Sequence, residues 1–274
     1  MLPKLGILAG GGELPARLAA LCRTTGRPYF VIALKDQCDP ATVAEAPHCW
    51  LRIGAVGAIF QALHAEEVTE LVMIGRIKRP RIRDIRPDIT GAKILLRISP
   101  HFFGGDDELL RAVARELEAE GFQVRGVHEL MDDLVAPDRL LSRVSPDDNA
   151  LRDILQGAKA AQALGDRDAG QAAVVRDGVL IGLEDAGGTD AMLRDCAPRL
   201  AGRRGGVLVK MRKPRQDSRI DLPAIGPGTV RLAAEIGLAG IAVEAGQALI
   251  IDRAETIRTA DELGLFVIGT SGHE

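Results

Sequence analysis

Aromatic residues are scarce in this 274-residue chain, at 3 %, with one Trp and one Tyr. Single-stranded nucleic acids are held largely by stacking bases on aromatic platforms, so this stock excludes that mode and leaves an aliphatic core. Charge of one sign is also lacking: the formal net charge is −3, which gives no global basic field for nucleic acid. The four cysteines, Cys22, Cys38, Cys49 and Cys196, form no C-x-x-C pair. That spacing argues against zinc and against a disulfide framework, and fits incidental thiols in a reducing cytoplasm. No apolar stretch approaches the ~20 residues that span a bilayer. The stretch from Met1 to Pro15 has no secretory h-region, and a cytoplasmic location is expected.

What is present is an alternation of short β-type runs with helical patterns. Leu5–Ala9 reads as a strand entering a glycine turn, Leu14–Thr25 as a helix stopped by Gly26, and Tyr29–Leu34 as a second strand. Trp50–Ile53, the helical spacing of Val56, Ile59, Phe60 and Leu63, and the run Leu71–Ile74 continue the pattern. Such alternation predicts a parallel sheet with helices on its faces. The Asp-, Pro- and Ser-rich stretch 131–148 marks a boundary, and domains of 1–134 and 135–274 are expected. In the second, Val174–Leu183 holds Asp177-Gly178, a two-residue hairpin signal. Further strands are expected at 207–209, 240–243, 249–251 and 266–268, with helices at 229–236 and 253–263. The fold class is therefore α/β with two domains, an N-terminal Rossmann-like parallel sheet and a C-terminal α/β domain, with a ligand cleft between them.

Five segments carry chemistry. Gly10, Gly11 and Gly12 lie between a strand and a helix, where backbone N–H groups can approach an anion. Pro15 stands where a dinucleotide fingerprint has its third glycine, which argues against an ordinary nicotinamide site. Arg76 to Arg86 carries six cations, Arg79 among them, against one Asp; it reads either as a solvated loop or as a surface for phosphates and anionic lipid head groups. Asp106 and Asp107 suit the positive end of a helix. Gly187-Gly188-Thr189-Asp190 places Thr189 or Asp190 at a helix N-terminus, as a cap or as part of a phosphate and metal site. The densest segment runs from Lys210 to Gly226, with five cations, Gln216, Asp217 and Asp221 broken by Pro214 and Pro223. Cations alternating with Asp suit a site that holds phosphates and a divalent metal together. Lys210 and Lys213 can neutralise phosphate oxygens, and Arg219 can hold one in a fork.

The pattern Lys210-x-x-Lys213-Pro-x-Gln216-x-x-Arg219-x-Asp221-x-Pro-x-Ile-Gly226, with Gly188-Thr-Asp upstream, resembles the UDP-2,3-diacylglucosamine pyrophosphatases of the LpxI type. The resemblance covers essentially the whole chain. Arg212 departs from it, standing where relatives are expected to carry proline. The resemblance implies hydrolysis of the substrate's pyrophosphate to 2,3-diacylglucosamine 1-phosphate (lipid X) and UMP, in lipid A synthesis. It implies Asp221, Lys213, Asp190, Lys210 and Arg219 as catalytic residues, with Asp221 and Asp190 on Mg²⁺. Substrate would be bound by Gly10, Gly11, Gly12, Thr189, Gln216, Arg79 and Asp106. The partner is then a nucleotide-sugar glycolipid met at the cytoplasmic face of the inner membrane, without nucleic acid. A homodimer is the default, because symmetric pairs predominate. Two alternatives remain at this point: a nicotinamide-dependent oxidoreductase, with Asp36 as its weak acidic marker, and a non-catalytic nucleotide-sugar or lipid-binding regulator.

Overall fold

The computed structural model describes residues 2–78, 85–103, 106–214, 217–219 and 222–271, with the side chains of residues 103, 106 and 107 excepted. The chain divides into two compact units, Met1–Met131 and Asp132–Glu274.

Unit 1 alternates strands and helices in the order β1 (Leu5–Ala9), α1 (Leu14–Thr25), β2 (Tyr29–Leu34), α2 (Pro40–Val43), β3 (His48–Leu51), α3 (Val56–Ala65), β4 (Glu70–Ile74), α4 (Ile89–Ile98), α5 (Asp106–Ala119), β5 (Gln123–Val124) and α6 (Val127–Leu130). Its five strands are ordered β3-β2-β1-β4-β5 and every pairing is parallel. This is the order in which a doubly wound nucleotide-binding sheet arranges its first five strands. Every residue of β1 and β2 is buried, as strands covered on both faces require. Asp88 ties two helices to each other. Its side chain accepts from Gly91 N at 2.7 Å at the head of α4 and from Ala58 N at 3.2 Å at the head of α3. Burial opposes its charge, but the N–H groups of Gly91, Gly57 and Ala58 and the nearby Arg52 outweigh it and hold the carboxyl below its usual range.

Unit 2 contains α7 (Asp148–Asp166), β6 (Ala172–Arg176), β7 (Val179–Leu183), α8 (Gly188–Leu200), β8 (Val207–Lys210), β9 (Ala224–Ile225), α9 (Pro227–Glu235), β10 (Gly240–Glu244), β11 (Leu249–Ile250), α10 (Arg253–Leu263) and β12 (Phe266–Thr270). Its main sheet has the order β12-β10-β8-β6-β7, and β9 pairs with β11 separately. Strands β8, β10 and β12 are parallel, whereas β6 runs against both β8 and β7. One face of the sheet packs Leu193, Leu208, Val230, Ile241 and Leu265 with their neighbours; the other packs Ile154, Ala158, Val209, Met211 and Phe266. The core is aliphatic, as the scarcity of aromatics implies. Gly240 matters here because a Cβ on it would fall 2.3 Å from the Phe266 ring.

The Asp177-Gly178 signal does form a hairpin turn, with φ of 53° and 73°, the left-handed pair that a type I′ turn needs. Asp153, buried on α7 at 2 % exposure, anchors it. Its carboxylate accepts the N–H of Asp177 at 2.9 Å and of Gly178 at 2.7 Å. Burial is the leading cause that pushes the thiols of Cys22, Cys38, Cys49 and Cys196 up, which keeps them protonated and poorly nucleophilic. Among the described residues no helix is long and apolar enough to cross a membrane.

Candidate active site

Because β6 reverses direction, the carboxyl ends of β7, β8, β10 and β12 share one edge of the unit 2 sheet with the start of β6. In open α/β sheets, ligands bind outside the carboxyl ends of strands. The sequence delivers its densest polar segment to this edge. Lys210 ends β8, is only 6 % exposed, and donates from Nζ to the Ala224 carbonyl at 3.0 Å. A buried lysine so held cannot wander as a surface lysine does, and its position is set by the fold. The chain beyond it is pinned residue by residue. Met211 N bonds Gln171 O at 3.0 Å, Arg212 N bonds a Glu244 carboxylate oxygen at 2.7 Å, and Lys213 Nζ bonds Asp168 Oδ1 at 2.9 Å. Gly165 permits this: a Cβ there would lie 3.2 Å from Lys213 Cα. On the far side, Leu222 is buried and the Pro223 carbonyl accepts from Leu249 N at 2.8 Å.

Arg219 differs from its expected part. Its guanidinium already grips Asp217, through Nε at 3.0 Å and Nη2 at 2.7 Å. A phosphate taken in that fork would have to replace a carboxylate bonded at two points. Asp190 is exposed in the first turn of α8, where its charge complements the helix dipole. Thr189, just before it, gives its hydroxyl to Glu184 Oε1 at 2.5 Å.

In unit 1 the glycine turn follows β1 as expected, but its amides are already in use. Gly10 N donates to Ile74 O at 2.9 Å and Gly11 N to Arg76 O at 2.8 Å, while Arg76 N returns a bond to Gly11 O. The expectation that these two N–H groups face an anion is therefore corrected. Their glycines serve close backbone approach, since a Cβ on Gly10 would meet Arg76 O at 2.6 Å and one on Gly11 would meet Gln37 O at 2.8 Å. Gly12, at φ 91°, has open space around it just before α1. A hollow of about 430 Å³ lies at the opposite end of this sheet, by Lys4 and Tyr29. Its cations Lys4, Arg23 and Arg27 are paired with Glu66, Glu45 and Glu70. Of the remaining expected residues, Arg79, Gln216 and Asp221 lie outside the described residues. Asp106 opens α5, and its side chain lies outside them too.

Comparison with known proteins bears on this arrangement as a whole. Residues 4–134 match the model of the LpxI N-terminal domain and residues 137–268 that of the LpxI C-terminal domain. The chain is also 42 % identical, over 99 % of both lengths, to UDP-2,3-diacylglucosamine pyrophosphatase LpxI of Caulobacter vibrioides. The chain belongs to the LpxI family.

For an LpxI chain, the edge holds more than the motif residues. Glu184, Gln171, Asp168 and Glu244 take part and were not singled out from sequence. Glu184 had a legible signal, as an acid directly after an alternating apolar strand. Glu244 had the same signal at the end of β10, whereas Asp168 had none, because its partner, Lys213 Nζ, is distant in the chain. Among the described residues no three His, Cys, Asp or Glu side chains converge as a metal cage. Magnesium in its usual mode needs only one or two carboxylates together with substrate phosphates.

Proposed function

We propose that this chain hydrolyses the pyrophosphate of UDP-2,3-diacylglucosamine to 2,3-diacylglucosamine 1-phosphate and UMP, with Mg²⁺, as a step of lipid A biosynthesis. The whole-length likeness to the Caulobacter pyrophosphatase carries the substrate. The cations that the fold gathers at the carboxyl edge of β8 support the chemistry. Asp190 and Asp221 would hold the metal, which when bound neutralises the pyrophosphate and favours ionisation of water. Lys210 and Lys213 would meet charge growing on the phosphoryl oxygens, from positions fixed before substrate arrives. Asp221 would orient the attacking water. Incubating the purified protein with UDP-2,3-diacylglucosamine and Mg²⁺ should release UMP, read by mass spectrometry. Excess EDTA should abolish the release and added Mg²⁺ restore it. Full turnover in EDTA would remove the metal from the mechanism.

A diacyl substrate would hold the enzyme at the cytoplasmic face of the inner membrane, and α4 supports that reading. Ile89 and Leu96, seven residues apart and so on one helix face, are 80 % and 76 % exposed, with Lys93 exposed between them. The residues from Arg76 to Pro100 hold eight Lys or Arg and two Asp, a local charge of +6 in a chain of net −3. An apolar stripe and a polybasic segment are the two signals that stable surface binding needs. Ile89→Asp with Leu96→Asp should weaken binding to vesicles rich in anionic lipid at least about tenfold, since each side chain buried contributes ~1.5–3 kcal/mol. Unchanged co-sedimentation would reject the membrane role of α4. A homodimer completes the proposal; light scattering on the purified protein tests it.

A further inference from the structure

Glu184 lies just past β7, is 8 % exposed, and is held through both backbone and side chain. Its N–H donates to Ala172 O at 3.0 Å. Its carboxylate then serves two elements at once. Oε2 accepts the Gln171 N–H at 2.8 Å, and Oε1 accepts the Thr189 hydroxyl at 2.5 Å. Gly170 lets the Glu184 carbonyl approach, because a Cβ there would sit 2.7 Å from that oxygen. A hydroxyl has one proton and two lone pairs. With the proton committed to a carboxylate at a charge-assisted distance, Thr189 Oγ1 can offer a ligand only lone pairs. The phosphates of a nucleotide-sugar offer oxygens that also need donors. The two cannot bond, and the neighbouring negative charge of Glu184 adds repulsion.

We propose that Glu184 is a positioning residue that fixes Thr189 as an acceptor, so that Thr189 recognises a hydroxyl or N–H of the substrate's sugar or nucleoside and not a phosphoryl oxygen. This rests on the reading of the unit 2 edge as the substrate site, and it separates recognition at the head of α8 from the phosphate-binding cations after β8. Glu184→Gln tests it by reversing polarity. The Gln171 N–H still requires an oxygen, so the new amide turns its NH₂ toward Thr189, and the hydroxyl proton then faces the ligand.

Steady-state kinetics with UDP-2,3-diacylglucosamine at saturating Mg²⁺ should show Thr189→Ser close to wild type. Thr189→Val and Glu184→Gln should each raise KM about tenfold with kcat unchanged, the pattern of lost uniform binding. The double variant should be no worse than Thr189→Val alone, because the two groups act as one. A folded Glu184→Gln enzyme with wild-type or lower KM would overturn the inference, since an outward-facing proton would then be harmless or useful. A raised Mg²⁺ half-activation concentration with unchanged KM would overturn it also, by moving Thr189 onto the metal. Should Glu184→Gln fail to fold, Thr189→Val decides alone, and an unchanged KM there refutes the proposal. A wild-type protein that releases no UMP defeats the proposed function itself, before any variant is compared.

Discussion

Asp221→Ala is expected to cut turnover at least ~10²-fold in a normally folded protein, the scale for losing a transition-state electrostatic contact. The segment that carries Asp221 is tethered at both ends to the carboxyl edge of the unit 2 sheet. Lys210 begins it as the last residue of β8 and closes back on the Ala224 carbonyl. Leu222, the next residue after Asp221, is buried. In that setting a carboxylate can work on a metal or a water only through its charge, so Asp221→Asn should lose most of the rate as well. The substrate's KM should move far less than kcat, because an effect confined to the transition state leaves ground-state binding intact. UMP release under multiple turnover, alongside circular dichroism of the variant, is the measurement. Near-normal release from a folded Asp221→Ala protein would reject the assignment.

Asp153→Ala should cause the largest loss of stability, about 2–3 kcal/mol. Two N–H groups at the β6–β7 turn depend on this one carboxylate, and hydrogen bonds to a charged group contribute ~1.5–3 kcal/mol each. The turn residues are exposed and can rehydrate, which places the sum at the lower end. Thermal melting should show a fall of about 8–12 °C, taking ~4 °C per kcal/mol for a unit of this size. Asp153→Asn keeps one acceptor and should lose about half as much. A melting temperature within 1–2 °C of wild type, on that same scale, would show that the buried carboxylate is not what holds the hairpin.

The fold was largely legible in the sequence because its strands are short, apolar and bounded by strong turn residues. β1, β2, α1 and α10 have the expected bounds. The helix expected at 229–236 starts instead at Pro227, since proline is favoured in a first turn that needs no N–H from it. β5 and β9 have two residues each, and pairing with a neighbour defines them where no periodicity could. Candidate site residues were legible where the chemistry is local, as with Lys210 and Thr189. The glycine turn misled because a glycine that frees an amide for a ligand and one that admits a neighbouring carbonyl look alike in sequence. The pairing of Arg219 with Asp217, two residues away in the same polar run, was not foreseen.

The reversed strand β6 has a consequence for evolution and for engineering. It lets one two-residue turn, together with the register shift at Val174 and Val175, decide which side of the sheet Glu184 and the start of α8 occupy. Lengthening that turn by a single residue would shift β7 by one place and carry Glu184 to the opposite face. The domain could remain folded while its recognition corner disappeared, so this turn should tolerate changes of residue far better than changes of length.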